Sequence, residues 1–499
     1  MEAVERFELA PGLTISRVVT GLWQVADMER GERLEPETTA AAMRPYVEAG
    51  FTTFDMADHY GSAEEIAGLC RRRLADPGRM QLITKWVPAP GPLGPDDVRA
   101  AVRRALDRLR TDRIDLLQFH VWKYDDPGWL DGLFRLQELR DEGLIGRIGL
   151  TNVDTAHLRI ALRSGLDIVS NQVCFSLLDR RAADAMTRLC LERGVRLLAY
   201  GTIAGGLLTE RWLGVPEPDI DSLDTWPQMK YRRFIDAAGG WAAFQRLLEA
   251  VHGIAERHDV SMANVACRYV LDQPAVAGII VGARLGRTEH IEDNRRLSGF
   301  SLEGTSRAEL DEAASALSPI PGDCGDEYRR PPYLTAAGNL SHHMTGFPPP
   351  YPIHTAADGR TRVLSGTDWE EIGGYCRALR RGGRILVSGT TATHGNRPIG
   401  GADPVAQTHF IIDKIEGAIR SLGGRLEDVV RTRILLRPGV DWEPVARAHG
   451  ERFGRILPAN TLVHAELVGD DCLVEMEAEA EVEEARPTTG PARPGTANA

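Results

Sequence analysis

Residues 51–65 read FTTFDMADHYGSAEE. The β-prone run Phe51, Thr52, Thr53, Phe54 ends in an acid, Asp55, and Tyr60 and Gly61 follow a few positions later. A strand that stops on a carboxylate and passes into a loop carrying a phenol is one strand-to-helix connection. Similar short apolar runs recur along the chain: TISRVVTGLW before it, then MQLITKW, IDLLQFH, GRIGLTN, IVSNQVCFS, VRLLAYG and VAGIIVGA, each bounded by Gly, Pro or polar turns. Between them lie helical patterns such as PDDVRAAVRRALDRLR, where Val98, Val102, Ala105, Leu106 and Leu109 recur at helical spacing behind a capping acid, Asp96 or Asp97. Strand and helix pairs repeated eight times over residues 13–284 predict an α/β fold, a (β/α)8 barrel. A doubly wound sheet is the alternative, and the absence of GxGxxG in the first βα turn weighs against it.

The 499 residues exceed what one core needs, so the chain is expected to hold more than one domain. A hydrophobic fraction of 43% and a charged fraction of 26% suit a globular protein rather than a disordered or fibrous one. No apolar run is long enough to cross a membrane, and the first residues, MEAVERFELAPG, lack the basic and apolar regions of a leader, so a cytoplasmic protein is expected. The net charge of -12, with basic residues scattered among acids, argues against a nucleic-acid partner. Seven scattered cysteines without a CxxC pair point to reduced thiols, with no zinc site and no disulfide framework; Cys324 alone sits in a polar, loop-like setting.

The texture changes after residue 318. PIPGDCGDEYRRPPYLTAAGNLSHHMTGFPPPYP is crowded with Pro and Gly and is expected to be irregular, with His342 and His343 in a solvated loop rather than at a metal. From about residue 370, RILVSGT, VVRTRILLRP, LVHAELV and CLVEMEAEAEV are expected as strands, with AQTHFIIDKIEGAIRSLG and EPVARAHGERFGRIL as helices. These make a small α+β domain. The expected division is a barrel over 1–345, a linker over 346–366, the second domain over 367–485 and a disordered tail over 486–499.

In barrel enzymes the groups that act stand where strands end. Here Asp55 ends the second strand with Tyr60 in the loop after it, Lys85 ends the third and His120 the fourth. The four form a chemical set. A phenol is too weak an acid near neutrality, an ammonium beside it favours the phenolate, and a carboxylate keeps that ammonium charged. Neutral His120 can hold a carbonyl oxygen beside the Tyr60 hydroxyl. Trp23, Trp86 and Trp122 lie at or just after strand ends and are expected to line an apolar substrate pocket.

These motifs resemble the aldo-keto reductases over residues 7–345. GFTTFDMADHYGSAEE looks like the GxxxFDTAxxYGxxE signature of that family, and LITKW, IDLLQFH, GLTNVD, NQVCFSLLDRR and AYGTIAGGLL follow in its order. The resemblance implies reduction of an aldehyde or ketone to an alcohol, or the reverse, with Asp55, Tyr60, Lys85 and His120 as the catalytic tetrad and Tyr60 as general acid. It implies a nicotinamide cofactor whose carboxamide is held by Asn152 and Gln172 beside Thr151, where the family usually has Ser, and whose ring stacks on Tyr200. Its phosphate and adenine end is implied to fall on Gly282, Arg284 and Asn294. His290 stands where many members carry an Arg for the 2'-phosphate, and Arg284 or Arg287 takes over that role in a choice of NADPH, with NADH as the alternative.

Residues 367–484 are similar to the RidA (YjgF) family of small trimeric proteins. GGYCRALRRGGRILVSGT looks like its opening hairpin, and SLGGRLEDVVRTRILL and LVEMEAEA like its later motifs. That likeness implies a homotrimer built through this domain, with Tyr375, Ser388, Asn460 and Glu475 near the positions of a small-molecule pocket between subunits. In members that hydrolyse imines a Pro-Ala-Arg segment grips the substrate carboxylate; here the segment is Pro458, Ala459, Asn460, and an amide offers no cationic fork. Oligomerisation or small-molecule binding is therefore expected of this domain. The alternative is a metabolite-binding regulatory assembly, or an imine hydrolase to which the barrel is accessory.

Overall fold

The computed structural model describes residues 3–25, 34–286, 290–302 and 304–483. The chain divides into two compact units, Met1–Tyr124 with Gly128–Pro348, and Asp125–Pro127 with Pro349–Ala499. Arg287 and the tail 486–499 lie outside the described residues.

The first unit opens with a hairpin, β1 (Arg6–Ala10) and β2 (Leu13–Ser16), and continues into eight strands: β3 (Val18–Gly21), β4 (Thr53–Asp55), β5 (Gln81–Trp86), β6 (Ile114–His120), β7 (Ile145–Thr151), β8 (Ile168–Cys174), β9 (Arg196–Tyr200) and β10 (Val276–Gly282). These eight close into a parallel barrel in chain order, with β10 pairing back onto β3. The run TISRVVTGLW is not one strand: its first residues pair antiparallel with β1, and only Val18–Gly21 joins the barrel. The reason is apolar. Leu9, Leu13 and Ile15 of the hairpin pack against Val19, Ile83, Leu116, Leu198 and Ala277, covering a floor that a barrel alone leaves to water. Each such side chain contributes roughly 1.5–3 kcal/mol by burial.

The helices follow their sequence signals. Helix Pro95–Leu109 begins on proline, Asp97 accepts a hydrogen bond from Gly94 N at 3.0 Å, and the buried face is the one its apolar spacing predicts. Gly68, in helix Ala63–Arg72, is required by close approach: a Cβ there would sit 2.5 Å from Leu109 O. Cys324, expected in an exposed loop, is buried.

The second unit holds β11 (Ile353–Thr355), β12 (Thr361–Val363), β13 (Ala378–Arg381), β14 (Arg384–Thr391), β15 (Thr393–His394), β16 (Arg397–Pro398), β17 (Val429–Leu436), β18 (Ala459–His464) and β19 (Val474–Glu481). Seven form one sheet in the order β11-β12-β13-β14-β19-β17-β18, antiparallel except for β17 and β18; β15 and β16 pair separately. The stretch 346–366, expected as a linker, carries β11 and β12, because backbone groups of Thr361–Val363 satisfy an otherwise unpaired edge at β13. Helix Pro404–Ser421 packs on β14 and β19. In β19 the alternation is clean: Val474, Met476, Ala478 and Ala480 are buried, while Glu475, Glu477 and Glu479 face the other way.

Candidate active site

A parallel barrel points every strand's C-terminal end to one rim. One residue from each of the eight ends lines a single cavity of about 260 Å³: Gly21, Asp55, Lys85, His120, Thr151, Gln172, Tyr200 and Gly282.

At its base Lys85 Nζ donates to Asp55 Oδ2 at 2.7 Å and to Met56 O at 2.8 Å. The other carboxylate oxygen accepts from Gln172 Nε2 at 2.7 Å and Gln118 Nε2 at 3.2 Å. Both charges are buried, and such a pair persists only when its remaining valences are satisfied, as here. Burial pulls the Lys85 ammonium below its ordinary value against the opposing pull of Asp55. Lys85 Nζ stands 5.0 Å from the centre of the Tyr60 ring, and Trp23 packs edge-on against that ring at 4.8 Å.

The four expected groups are thus brought together. Burial, and next the Asp55 carboxylate, push the Tyr60 hydroxyl well above its ordinary value. The Lys85 charge is engaged by Asp55 at hydrogen-bond distance, with two of its three N–H donors on Asp55 and Met56. Tyr60 is held as a neutral phenol. Burial, followed by the nearby Arg329 charge, also pushes His120 well below its usual range, and its Nδ1 has no hydrogen-bond partner among the described residues. A neutral imidazole and a neutral phenol therefore share one wall.

The adjoining wall carries Thr151, Asn152, Gln172 and Tyr200. Thr151 Oγ1 donates to Gln172 O at 3.3 Å, Asn152 takes a left-handed backbone with φ 56°, and the Tyr200 hydroxyl donates to Asn152 Oδ1 at 2.7 Å. Two primary amides and a hydroxyl beside a flat aromatic ring fit a nicotinamide: the amides match its carboxamide and the ring offers a stacking face. Gly282 also lines the cavity. Arg284 is exposed beyond β10, and Asn294 lies in the short helix Ile291–Arg296; neither lines it.

Trp23 and Trp122 line the cavity as expected, and Trp122 packs on His120 at 4.3 Å. Trp86 does not. Strand alternation turns it away from its neighbour Lys85, and it is buried against Phe119 at 5.3 Å. His342 and His343 stand at the cavity, stacked on Trp226 at 4.5 Å and beside Trp122 at 5.7 Å. No group of three or more His, Cys, Asp or Glu disposed to hold a metal occurs among the described residues.

Sequence reasoning missed the part of the site contributed from beyond β9: Trp226, Lys230, Tyr328, His342 and His343 all line the cavity. Lys230 Nζ donates to the Tyr328 hydroxyl at 2.9 Å. The only available signal was the density of aromatic and titratable residues in an aperiodic segment.

In the second unit Tyr375, Ser388 and Glu475 lie around Arg377 and Gly389, and Asn460 stands apart from them. Tyr375 is exposed; Ser388 Oγ donates to Cys376 O at 2.8 Å. Asn460 lies on β18 with its Nδ2 donating to Thr432 Oγ1 at 2.9 Å, separated from Glu475 on β19 by the whole of β17. Burial, and then Glu477, raise the Glu475 carboxyl above its ordinary value.

Comparison with known proteins divides the chain in the same way. Residues 17–315 match the model of the aldo/keto reductase family, and residues 367–482 match that of endoribonuclease L-PSP. An uncharacterised Streptomyces coelicolor protein is 39% identical over 120 residues, covering 24% of this chain and 90% of that protein. An uncharacterised Bacillus subtilis oxidoreductase is 30% identical over 266 residues, 50% of this chain and 78% of the relative. An Escherichia coli NADH-specific methylglyoxal reductase is 28% identical over 231 residues, 45% of this chain and 66% of the relative.

Proposed function

The chain belongs to the aldo/keto reductase family and is an oxidoreductase of the carbonyl and alcohol type with a RidA/YjgF domain appended; from this premise we propose that Tyr60 is its general acid and base, acting on a small aldehyde or ketone. The observation that carries this reading is the convergence of eight strand ends on one cavity, with Tyr60 beside the buried Asp55–Lys85 pair and neutral His120.

Tyr60, kept protonated by its surroundings, donates its hydroxyl proton to the substrate oxygen as charge develops there. Neutral His120 donates one N–H to the same oxygen and fixes its direction. Lys85 and Asp55 hold the loop and the field around the phenol and relay the proton that restores it. Thr151, Asn152, Gln172 and Tyr200 would hold a reduced nicotinamide, which would supply the hydride. The family uses NAD(P)H, and we assign NADPH, with Arg284 and Asn294 toward the adenosine end. That one relative is named as NADH-specific makes the choice between the two worth measuring.

We further propose that the second unit assembles the protein as a homotrimer. Trp369 (65% exposed) and Ile372 (70% exposed) are large apolar side chains facing solvent, and β18 is an edge strand with exposed residues. Asn460 in place of a carboxylate-gripping arginine argues against imine hydrolysis here. We place the protein in the cytoplasm, in keeping with seven free cysteines and with no described helix long and apolar enough to cross a membrane.

Nicotinamide absorbance, followed with NADPH and with NADH across a panel of aldehydes, ketones and sugars, tests the reductase reading; no turnover with any pair overturns it. Sedimentation of a Trp369→Glu, Ile372→Glu double variant is expected to give a lower mass than the parent protein. A parent that sediments as a monomer overturns the assembly.

A further inference from the structure

The matched barrel ends at residue 315, yet the tripeptide Glu327-Tyr328-Arg329 reaches the ends of three of its strands. The approach is very close. Gly325, in a left-handed conformation with φ 82°, leaves no room for a side chain, since a Cβ there would collide with Asn152 O.

Arg329 is buried, and its guanidinium lies 4.4 Å over the Tyr124 ring. Its Nη1 donates to Asn152 O at 2.6 Å, and its Nη2 donates to Val121 O. Val121 directly follows His120, and Asn152 directly follows Thr151. One planar cation thus ties the main chain leaving β6 to the main chain leaving β7. It holds Asn152 in a left-handed backbone conformation that asparagine tolerates but does not favour.

Glu327 is buried as well. Its Oε1 accepts from the Tyr200 hydroxyl at 3.1 Å, at the end of β9, while its Oε2 accepts from Arg181 Nη2 at 2.9 Å. The Tyr200 hydroxyl shares its single proton between Glu327 Oε1 and Asn152 Oδ1, the latter at 2.7 Å, so the residue held by Glu327 is linked to the residue held by Arg329. Burying two ionised groups is unfavourable unless they are paired and hydrogen-bonded: Glu327 is paired with Arg181, and both terminal nitrogens of Arg329 hold main-chain carbonyls.

We infer that Glu327 and Arg329 are positioning residues for the nicotinamide half of the cofactor, Arg329 by holding the Asn152 and Val121 carbonyls and Glu327 by holding the Tyr200 hydroxyl. This rests on the reductase reading above. It assigns to a segment outside the matched barrel the placement of the amide and the ring that face the nicotinamide.

The test uses the full chain and two variants, Arg329→Lys, which keeps the charge but cannot span two carbonyls, and Glu327→Gln, which keeps the shape but removes the charge. Tryptophan fluorescence is titrated with NADPH and with 2'-phospho-ADP-ribose, which lacks the nicotinamide. Each variant is expected to bind NADPH about tenfold more weakly and the fragment within about twofold of the parent, the size of a lost charge-assisted hydrogen bond at one end of the ligand. Equal weakening of both ligands, or no weakening of NADPH, overturns the inference in favour of a purely structural segment. If one variant does not fold, the other carries the same comparison. A parent chain that binds neither nucleotide overturns the reductase reading itself, and the inference with it.

Discussion

Both units bury an ion pair, and the two pairs are built to different ends. In the barrel Lys85 and Asp55 sit at the floor of a cavity, 5.0 Å from the Tyr60 ring centre, with eight strand ends around them. In the second unit Arg377 and Glu370 are also buried at 3.1 Å, but Arg377 is further committed to Gly389 O at 2.7 Å and Thr390 Oγ1 at 3.0 Å. Arg377 thus ties the helical turn carrying Glu370 to β14, with its Nη2 on the Tyr375 hydroxyl at 3.5 Å. The difference is topological. Parallel strands in a closed barrel end on one rim, so side chains from distant stretches of sequence meet; neighbours in an antiparallel sheet end at opposite edges and disperse them. This is why Asp55, Lys85 and His120 meet in one cavity, while Asn460 and Glu475 stand on strands separated by β17.

The comparison breaks first at Tyr60. Tyr60→Phe is expected to lower turnover by about 10²–10⁴ with cofactor affinity unchanged, read from nicotinamide absorbance and fluorescence titration. Turnover within about tenfold of the parent would remove the phenol from the chemistry.

Removing one cation from each pair is the next largest contrast. Lys85→Met and Arg377→Met each leave a buried carboxylate without its partner and are expected to destabilise their own units by about 3–5 kcal/mol, seen in thermal unfolding. Below the unfolding transition only Lys85→Met is expected to abolish carbonyl reduction. Loss of activity in Arg377→Met at such temperatures would mean that the two sites are coupled.

Acid unfolding sharpens the comparison further. The Glu327 carboxyl is pushed down to about 2: burial works against ionisation, and the Arg181 and Lys230 charges overcome it. Because the folded value lies below the ordinary one, the unfolded chain binds more protons between the two. The stabilisation from Glu327 is therefore complete above about pH 4.5 and lost as pH falls toward 2, a change on the order of a few kcal/mol. Glu327→Gln is expected to flatten this limb of the stability profile, measured by denaturant titration at stepped pH. An unchanged limb would show that Glu327 is not ionised in the fold.

The smallest expected effect lies in the second unit. Glu475→Gln is expected to leave carbonyl reduction within about twofold of the parent, since it is a conservative change at a residue that does not line the cavity of Tyr60. A larger change in kcat would give that face a part in the reaction.

Much of the barrel is legible in the sequence because each βα unit carries its own signals. A β-prone run, a polar stop and a capped helix are local, and Asp55, Lys85 and His120 declare themselves by standing at stops. Trp86 was misjudged although it adjoins Lys85: consecutive strand residues face opposite ways, and the alternation that puts Lys85 in the cavity turns Trp86 onto Phe119. The hairpin β1–β2 and the strands β11 and β12 escaped for another reason. Each is three to five residues long, too short for a period to show.

The sequence by itself determined the alternation of strands and helices, the order of the two folds, and the chemical identity of the groups at the strand ends. These depend on residue type and spacing over a dozen positions or fewer. Tertiary structure alone decided how deeply the Asp55–Lys85 pair is buried and that Gln118 and Gln172 complete it. It alone brought Lys230, Glu327, Tyr328 and Arg329 to the ends of strands that precede them by thirty to more than two hundred positions. Burial and long-range hydrogen bonds set those outcomes, and they come into being only when the barrel closes.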